Sequence, residues 1–372
     1  MYAARSLSRT HKRKDDHLRL CLRDDVDLTS EEGEARTLFD SVDFVHIATP
    51  RADFSDIDLS TTFLHQSLST PILIEAMTGG TLFASKINQL LARAATRYGL
   101  SLALGSLRPV LEDPSTLSTY LIARREAPDA FLIINIGAAQ LLKGTPNTLS
   151  VLETAASKLE ASALAVHFNP LQELIMPEGD PVEMLPTSER ISEVRARLGI
   201  PIIAKEVGCG VSRETALLFE EAGFDAIDIG GWGGTNWALV EGLRAGKARD
   251  LIRSEAAASL HLWGIPTLLS LLEVRSVVKL PVIVSGGIRS GITVAKALAL
   301  GGDLVGIARP FLKAAATGEA TLFQLCERLI FELRAAIYLT GGRCVSDLKQ
   351  ASLYLDPSLL QLLKTRGIEL VR

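Results

Sequence analysis

Cysteine is scarce in this 372-residue chain: Cys21, Cys209, Cys326 and Cys344 are scattered, with no CxxC spacing. That excludes a disulfide scaffold and a zinc ribbon, and it fits a reducing, cytoplasmic setting. Basic excess is missing too. The 39 Lys and Arg against 43 Asp and Glu leave a formal net charge of −4, so no nucleic-acid partner is expected. No apolar run approaches the ~20 residues that cross a bilayer, and none is expected to span one. The best runs, Phe131 to Ile136 and Ala163 to Val166, are strand-sized. Arg5, Arg9, Lys12, Arg13 and Lys14 precede any acid and have the composition of a transit peptide, but the segment is short. Aromatics are only 5%, while hydrophobic residues are 47% and charged residues 22%, enough apolar side chain for a large packed core.

The length suits two average domains or one α/β barrel with an extension. Continuous apolar runs bounded by Gly or Pro occur at Pro71–Met77, Leu102–Leu107, Phe131–Gly137, Ala163–Phe168, Pro201–Val207, Ala226–Gly231, Pro281–Gly287 and Leu304–Pro310. Helix-like patterns such as Lys86–Tyr98 and Arg213–Ala222 lie between them. Strands buried on both faces and alternating with helices form a parallel sheet, and eight of them fit a (β/α)8 TIM barrel better than an open Rossmann-like sheet. Residues 71–372 are read as the barrel and 1–70 as an N-terminal extension. The interval from Ala226 to Pro281 exceeds one helix, so residues 232–265 are read as an inserted lid after strand 6, with Gly231-Trp232-Gly233-Gly234 as its hinge.

Active sites of such barrels lie at the C-terminal strand ends, and here those ends are polar. Asn135, His167 and Lys205 interrupt apolar runs, where an unpartnered polar group is costly. Ser285-Gly-Gly-Ile-Arg289 and Gly306-Ile-Ala-Arg309-Pro place glycine-rich turns after strands 7 and 8, the usual phosphate cradle of a barrel. Lys205 needs an anion, either a reduced flavin ring or a neighbouring carboxylate. Arg13-Lys14-Asp-Asp-His17 has donors for a diphosphate, though a solvated charge run has the same composition. Glu173, in the loop after strand 4, could hold Mg²⁺ against phosphate oxygens.

Taken together, Arg13-Lys14-x-x-His17, Met77-Thr78-Gly-Gly80, Gly105-Ser106-x-Arg108, Asn135-Ile-Gly-Ala138, His167-x-Asn169-Pro-Leu-Gln172-Glu173, Lys205-Glu-Val-Gly208, Gly233-Gly-Thr235 and Ser285-Gly-Gly-Ile-Arg289 resemble the type 2, flavin-dependent isopentenyl-diphosphate isomerases. The HxNPLQE string discriminates, because glycine cradles occur in other FMN barrels.

The resemblance implies FMN contacts at Ala76, Met77, Thr78, Ser106, Asn135, Lys205 and Thr235, with the phosphate on Gly287, Ile288, Arg289, Ala308 and Arg309. It implies substrate contacts at Arg13, Lys14, Ser106, Arg108, His167 and Gln172, and Mg²⁺ at Glu173. Gln172, Lys205 and His167 are the implied catalytic set. Also implied are isopentenyl and dimethylallyl diphosphate as substrate and product, NADPH or NADH as initial reductant, and a homotetramer or homo-octamer. Thr293 stands where Asp is expected, as a replacement helix N-cap, and Gly302 stands where Ala is usual. An FMN-dependent 2-hydroxyacid oxidase would need a His base and a following Arg, and His261-Leu-Trp-Gly264 lacks that arrangement. A non-catalytic flavin-binding protein would have no use for the Arg13, Lys14, His167, Gln172 and Glu173 set.

Overall fold

The computed structural model describes residues 2–28, 37–77, 79–143, 146–179, 181, 183 and 185–369. Eight parallel strands form the expected barrel: β1 (Ile72–Ile74), β2 (Ser101–Ser106), β3 (Leu132–Gly137), β4 (Ala163–Phe168), β5 (Ile202–Glu206), β6 (Ala226–Asp228), β7 (Val282–Ser285) and β8 (Leu304–Ile307). They are neighbours in chain order, and β8 pairs with β1 to close the ring. Closure leaves no strand edge exposed. β1, β6, β7 and β8 are shorter than the apolar runs that announced them, because the chain leaves the ladder at the mouth to form loops.

Side-chain parity divides each strand between two cores. In β4, Leu164 and Val166 join the shell beneath the outer helices, whereas Ala163 and Ala165 face the barrel axis. Leu73, Ile133, Ile203, Ala226, Ile283 and Leu304 share that axial cluster. A strand's side chains repeat every second residue, so two residues on, the same parity delivers Glu75, Asn135, His167, Lys205, Asp228, Ser285 and Gly306 to the top layer. The polar mouth is thus a direct consequence of strand phase.

The extension seals the opposite end. Its antiparallel hairpin Thr61–Phe63/Gln66–Leu68 places Phe63 and Leu68 in the axial cluster, and the Phe63 ring meets Phe131 edge-on at 5.9 Å. The turn residues Leu64 and His65 have φ of +46° and +64°, the primed-turn backbone that matches strand twist. Val42–Phe44 pairs antiparallel with Leu353–Leu355, tying the extension to the C-terminal segment. The helix Tyr2–Cys21 contacts the helix that follows β6.

After β6 the chain forms a helical hairpin, Trp237–Lys247 and Leu251–Leu260, before Thr267–Arg275 resumes the outer ring. A bridge between Trp232 and Pro266 closes its neck. The glycines there allow close packing: a Cβ on Gly231 would fall 2.4 Å from Thr267 Cα, and one on Gly234 2.6 Å from the Gly287 nitrogen. Among the described residues, no helix is long and apolar enough to cross a membrane.

Candidate active site

Two clefts share the mouth. The first contains about 700 Å³ of free space and is lined by Glu75, Ala76, Met77, Lys205, Thr235 and the turns Ser285–Arg289 and Ala308–Pro310. Its floor is backbone. A Cβ on Gly286 would fall 2.1 Å from the Gly231 carbonyl oxygen, and one on Gly287 2.4 Å from that of Gly233. The loops after β6 and β7 therefore touch main chain to main chain, which only glycine allows. Among the described residues, the N–H groups of Gly287, Ile288 and Ala308 have no backbone acceptor. Ala308 begins the helix Arg309–Thr317 without a side-chain cap, so that N-terminus keeps its donors and its positive dipole end for an anion. These donors fit a phosphate such as that of FMN.

The cations at this cleft are already matched. Arg289 Nη2 lies 2.5 and 2.7 Å from the two Asp27 carboxylate oxygens. Arg309 also pairs with Asp27, and with Asp24 at 2.7 Å, while its Nε donates to the Cys21 carbonyl at 2.8 Å. Both residues line the cleft, but their guanidinium groups hold the N-terminal segment, leaving backbone donors to the anion. Lys205 is held between Glu75, 3.0 Å away, and Asp228. Burial disfavours its charge, yet Asp228 and Glu75 outweigh that and raise the ammonium pKa. Both readings of Lys205 thus meet: it has carboxylate partners and still faces the cleft. Burial, with Glu75 beside it, pushes Asp228 up to about 7, and Ser285 Oγ donates to Asp228 Oδ1 at 2.5 Å.

The second cleft, also about 700 Å³, is lined by Arg13, Lys14, His17, Ser106, Arg108, Asn135, His167, Asn169, Gln172 and Glu173. Ala76, Met77, Lys205, Val207 and Trp237 border both clefts, so a molecule in one abuts a molecule in the other. Here charge is unmatched. Arg13 is 5% exposed, and among the described residues its hydrogen-bond partner is the Met176 sulfur at 4.0 Å. Among the described residues Lys14 has no hydrogen-bond or ion-pair partner, and burial with Arg13 and Arg108 nearby pulls it down to about 7. Burial and Arg108 likewise lower the Arg13 pKa. Arg108 alone has a carboxylate, Glu112 at 3.3 Å.

Burial, then Lys14 and Lys205, pull His167 down to about 3, so its ring is neutral near pH 7. Nδ1 sits 2.8 Å from Asn135 Oδ1, an oxygen that can only accept, which puts the ring proton on Nδ1.

Gln172 is fixed at both ends. Its amide nitrogen donates to Glu241 Oε1 at 2.8 Å, and its oxygen accepts from Asn169 Nδ2 at 3.0 Å. Glu241, fully buried on the helix Trp237–Lys247, also meets His17 at 2.8 Å and Arg244 at 2.5 Å. These partners hold its carboxyl down at about 2 against the cost of burial. Glu173 is buried and accepts from Asn169 Nδ2 at 3.3 Å. No cluster of three metal-ligating side chains exists among the described residues.

The structure therefore brings together Arg13, Lys14, Ser106, Arg108, Asn135, His167, Gln172 and Glu173 in one cleft, and Thr235 with Gly287, Ile288, Arg289, Ala308 and Arg309 in the other. Thr78 lies outside the described residues. Glu75, Asp228, Glu241 and Asp27 escaped the sequence reading; the strand phase that singled out Lys205 also marks Glu75 and Asp228. The helix-cap expectation for Thr293 is corrected. Ser290 caps Gly291–Ala299 and accepts from the Thr293 nitrogen at 3.1 Å. His261 lines neither cleft, and its carbonyl accepts from Asn236 Nδ2 at 2.7 Å.

Residues 144–355 match the family model of the FMN-dependent dehydrogenases. In solved structures the fold is shared with a Pediococcus acidilactici protein described as a lactate oxidase, at TM-score 0.66 and 18% identity over 94% of each chain. A mandelate oxidase superposes at TM-score 0.58 and 20% identity, over 94% of this chain and 98% of the other. Sequence relatives are far closer. The isopentenyl-diphosphate delta-isomerase of Methanoregula boonei is 43% identical over 95% of this chain and 96% of its own. Those of Rickettsia bellii and Sulfurisphaera tokodaii are 43% and 38% identical over at least 93% of each chain. On its motifs, its barrel and these relatives, the chain belongs to the FMN-dependent, type 2 isopentenyl-diphosphate delta-isomerases.

Proposed function

We propose that the protein moves the double bond of isopentenyl diphosphate to give dimethylallyl diphosphate, in isoprenoid biosynthesis. In this reading the glycine-walled cleft holds reduced FMN, Glu173 anchors Mg²⁺, and NADPH or NADH serves only to reduce the flavin at the outset. The observation that supports it most is the unmatched charge of Arg13 and Lys14 in a cleft that shares a wall with the flavin-sized one. A buried guanidinium and a half-buried ammonium with no hydrogen-bonded carboxylate call for an anionic ligand, and a diphosphate supplies charge and acceptors together.

The reaction adds a proton at the terminal methylene carbon and removes one two carbons away, so atoms and electrons balance without net oxidation. Its barrier is the cationic character that builds on the middle carbon, which a dry site with an electron-rich face lowers. Bound reduced FMN would supply that face and titratable ring nitrogens.

The chain's own residues do the rest. Arg13, Lys14 and Arg108 take the diphosphate charge at one end of the second cleft. His167, neutral and fixed by Asn135, adds no positive charge beside the developing cation. Met77 and Trp237 close the shared wall with apolar surface. Gln172 is a poor acid and base; held between Glu241 and Asn169, it orients the alkene. With Glu173 as one carboxylate, Mg²⁺ would draw its other oxygens from diphosphate and water, the coordination this ion favours.

We further infer cytoplasmic action as a homotetramer or homo-octamer, which light scattering on the purified protein reads directly. The test of the function is anaerobic incubation with isopentenyl diphosphate, FMN, NADPH and Mg²⁺, each omitted in turn. Dimethylallyl diphosphate formed without stoichiometric NADPH loss is the expected result. Absence of product from a flavin-loaded, reducible protein would refute it.

A further inference from the structure

The top layer of the barrel carries a carboxylate with no role in the function above. Glu75, 5% exposed, follows β1, receives the Ala76 N–H on Oε2 at 2.9 Å, and pairs with Lys205 at 3.0 Å. Its other oxygen, Oε1, is buried without a hydrogen-bond partner. Gly306 makes the space: a Cβ there would fall 2.5 Å from that oxygen. Lys205 also pairs with Asp228, but burial and the neighbouring Glu75 push Asp228 up while Glu75 is held down, so of the two carboxylates at the edge of the flavin cleft Glu75 is the one that keeps its charge. The remaining neighbours do not restore the balance. Glu206 accepts three backbone N–H groups from Val207, Gly208 and Cys209, Ser285 is uncharged, and His167 is neutral.

We propose that Glu75 is a positioning residue that sets the electron affinity of the bound flavin. By sharing the Lys205 ammonium with Asp228, it limits the positive charge offered to a reduced, anionic ring and keeps the ring nitrogens basic. Two-electron reduction adds negative charge to the ring, and a buried carboxylate a few ångströms from the balancing ammonium opposes that charge. The inference rests on the proposed FMN site.

The test compares wild type with Glu75→Gln, which keeps shape and removes charge. Dissociation constants for oxidised and reduced FMN are measured anaerobically, with a spectroelectrochemical titration of the holoprotein. Glu75→Gln is expected to raise the flavin midpoint potential and to increase the ratio of oxidised to reduced dissociation constants about tenfold. An unchanged ratio in a variant that binds FMN would overturn the inference and leave the FMN site standing. A wild type that binds no FMN overturns both. Glu75→Ser, lacking charge and bulk, should shift the ratio in the same direction if Glu75→Gln does not fold. Should neither fold, the sulfite affinity of the wild-type holoprotein decides. Weak binding agrees with a shared ammonium; tight binding, the mark of an unshared positive charge at the ring, contradicts it.

Discussion

The two clefts balance their charge in opposite ways. In the first, each cation lining the cleft among the described residues has a protein carboxylate: Arg289 and Arg309 have Asp27, and Lys205 has Glu75 and Asp228. Its recognition elements are backbone N–H groups that glycine packing brings together. In the second, Arg13 is buried and Lys14 half-buried, neither has a hydrogen-bonded carboxylate among the described residues, and desolvation with neighbouring cations lowers both pKa values. A site that balances its own charge keeps its shape without ligand, as suits a resident cofactor. A site that stores like-charge repulsion gains most when a polyanion enters, as suits a substrate that must bind, react and leave.

The largest break in this contrast should come from main chain. Gly286 has φ of +108° and its Cβ would strike the Gly231 oxygen at 2.1 Å, so Gly286→Ala should weaken FMN binding about a hundredfold through strain and displaced backbone. Flavin fluorescence titration measures it, and undiminished affinity would remove the backbone cradle from the account.

Gln172→Glu comes next, because it sets a carboxylate against buried Glu241 in place of an amide donor. Turnover should fall about a hundredfold with FMN binding intact, in line with ~3 kcal/mol for an opposed buried charge. An unaffected rate would take Gln172 out of the chemistry.

Lys14→Met tests the second cleft alone. KM for isopentenyl diphosphate should rise about tenfold to thirtyfold, the scale of one charge-assisted contact, while the FMN spectrum and affinity stay as in wild type. Loss of both ligands together would mean the clefts are not separable.

The smallest effect is the pH profile. Lys14 titrates at about 7 without ligand, and a bound diphosphate favours its charged form and raises that value. Binding therefore takes up a proton above pH 7. KM should be lowest below pH 7 and climb at most about tenfold per pH unit above it. Lys14→Met should flatten this limb, and a limb that persists belongs to another group.

Much of this was legible in the sequence because continuous apolar runs mark strands buried on both faces, and strand phase fixes what the mouth contains. Asn135, His167 and Lys205 stood out as polar breaks in such runs. Glu75 and Asp228 obey the same phase and break the runs Pro71–Met77 and Ala226–Gly231 in the same way, so the signal for them was present in the sequence as well. Asp27 and Glu241 were not legible, since they reach the site from the extension and from the hairpin after β6. No local pattern states that Asp27 will meet Arg289, or that Glu241 will meet His17 and Gln172.

In the proposed reaction the chain isomerises its substrate while the flavin's oxidation state stays unchanged. The direct measurement loads the protein with FMN, photoreduces it anaerobically, omits all nicotinamide, and counts dimethylallyl diphosphate per flavin after adding isopentenyl diphosphate and Mg²⁺. Many product molecules per flavin, with the flavin still reduced at the end, is the predicted result. Product limited to one equivalent with flavin reoxidised, or no product from fully reduced protein, would contradict it.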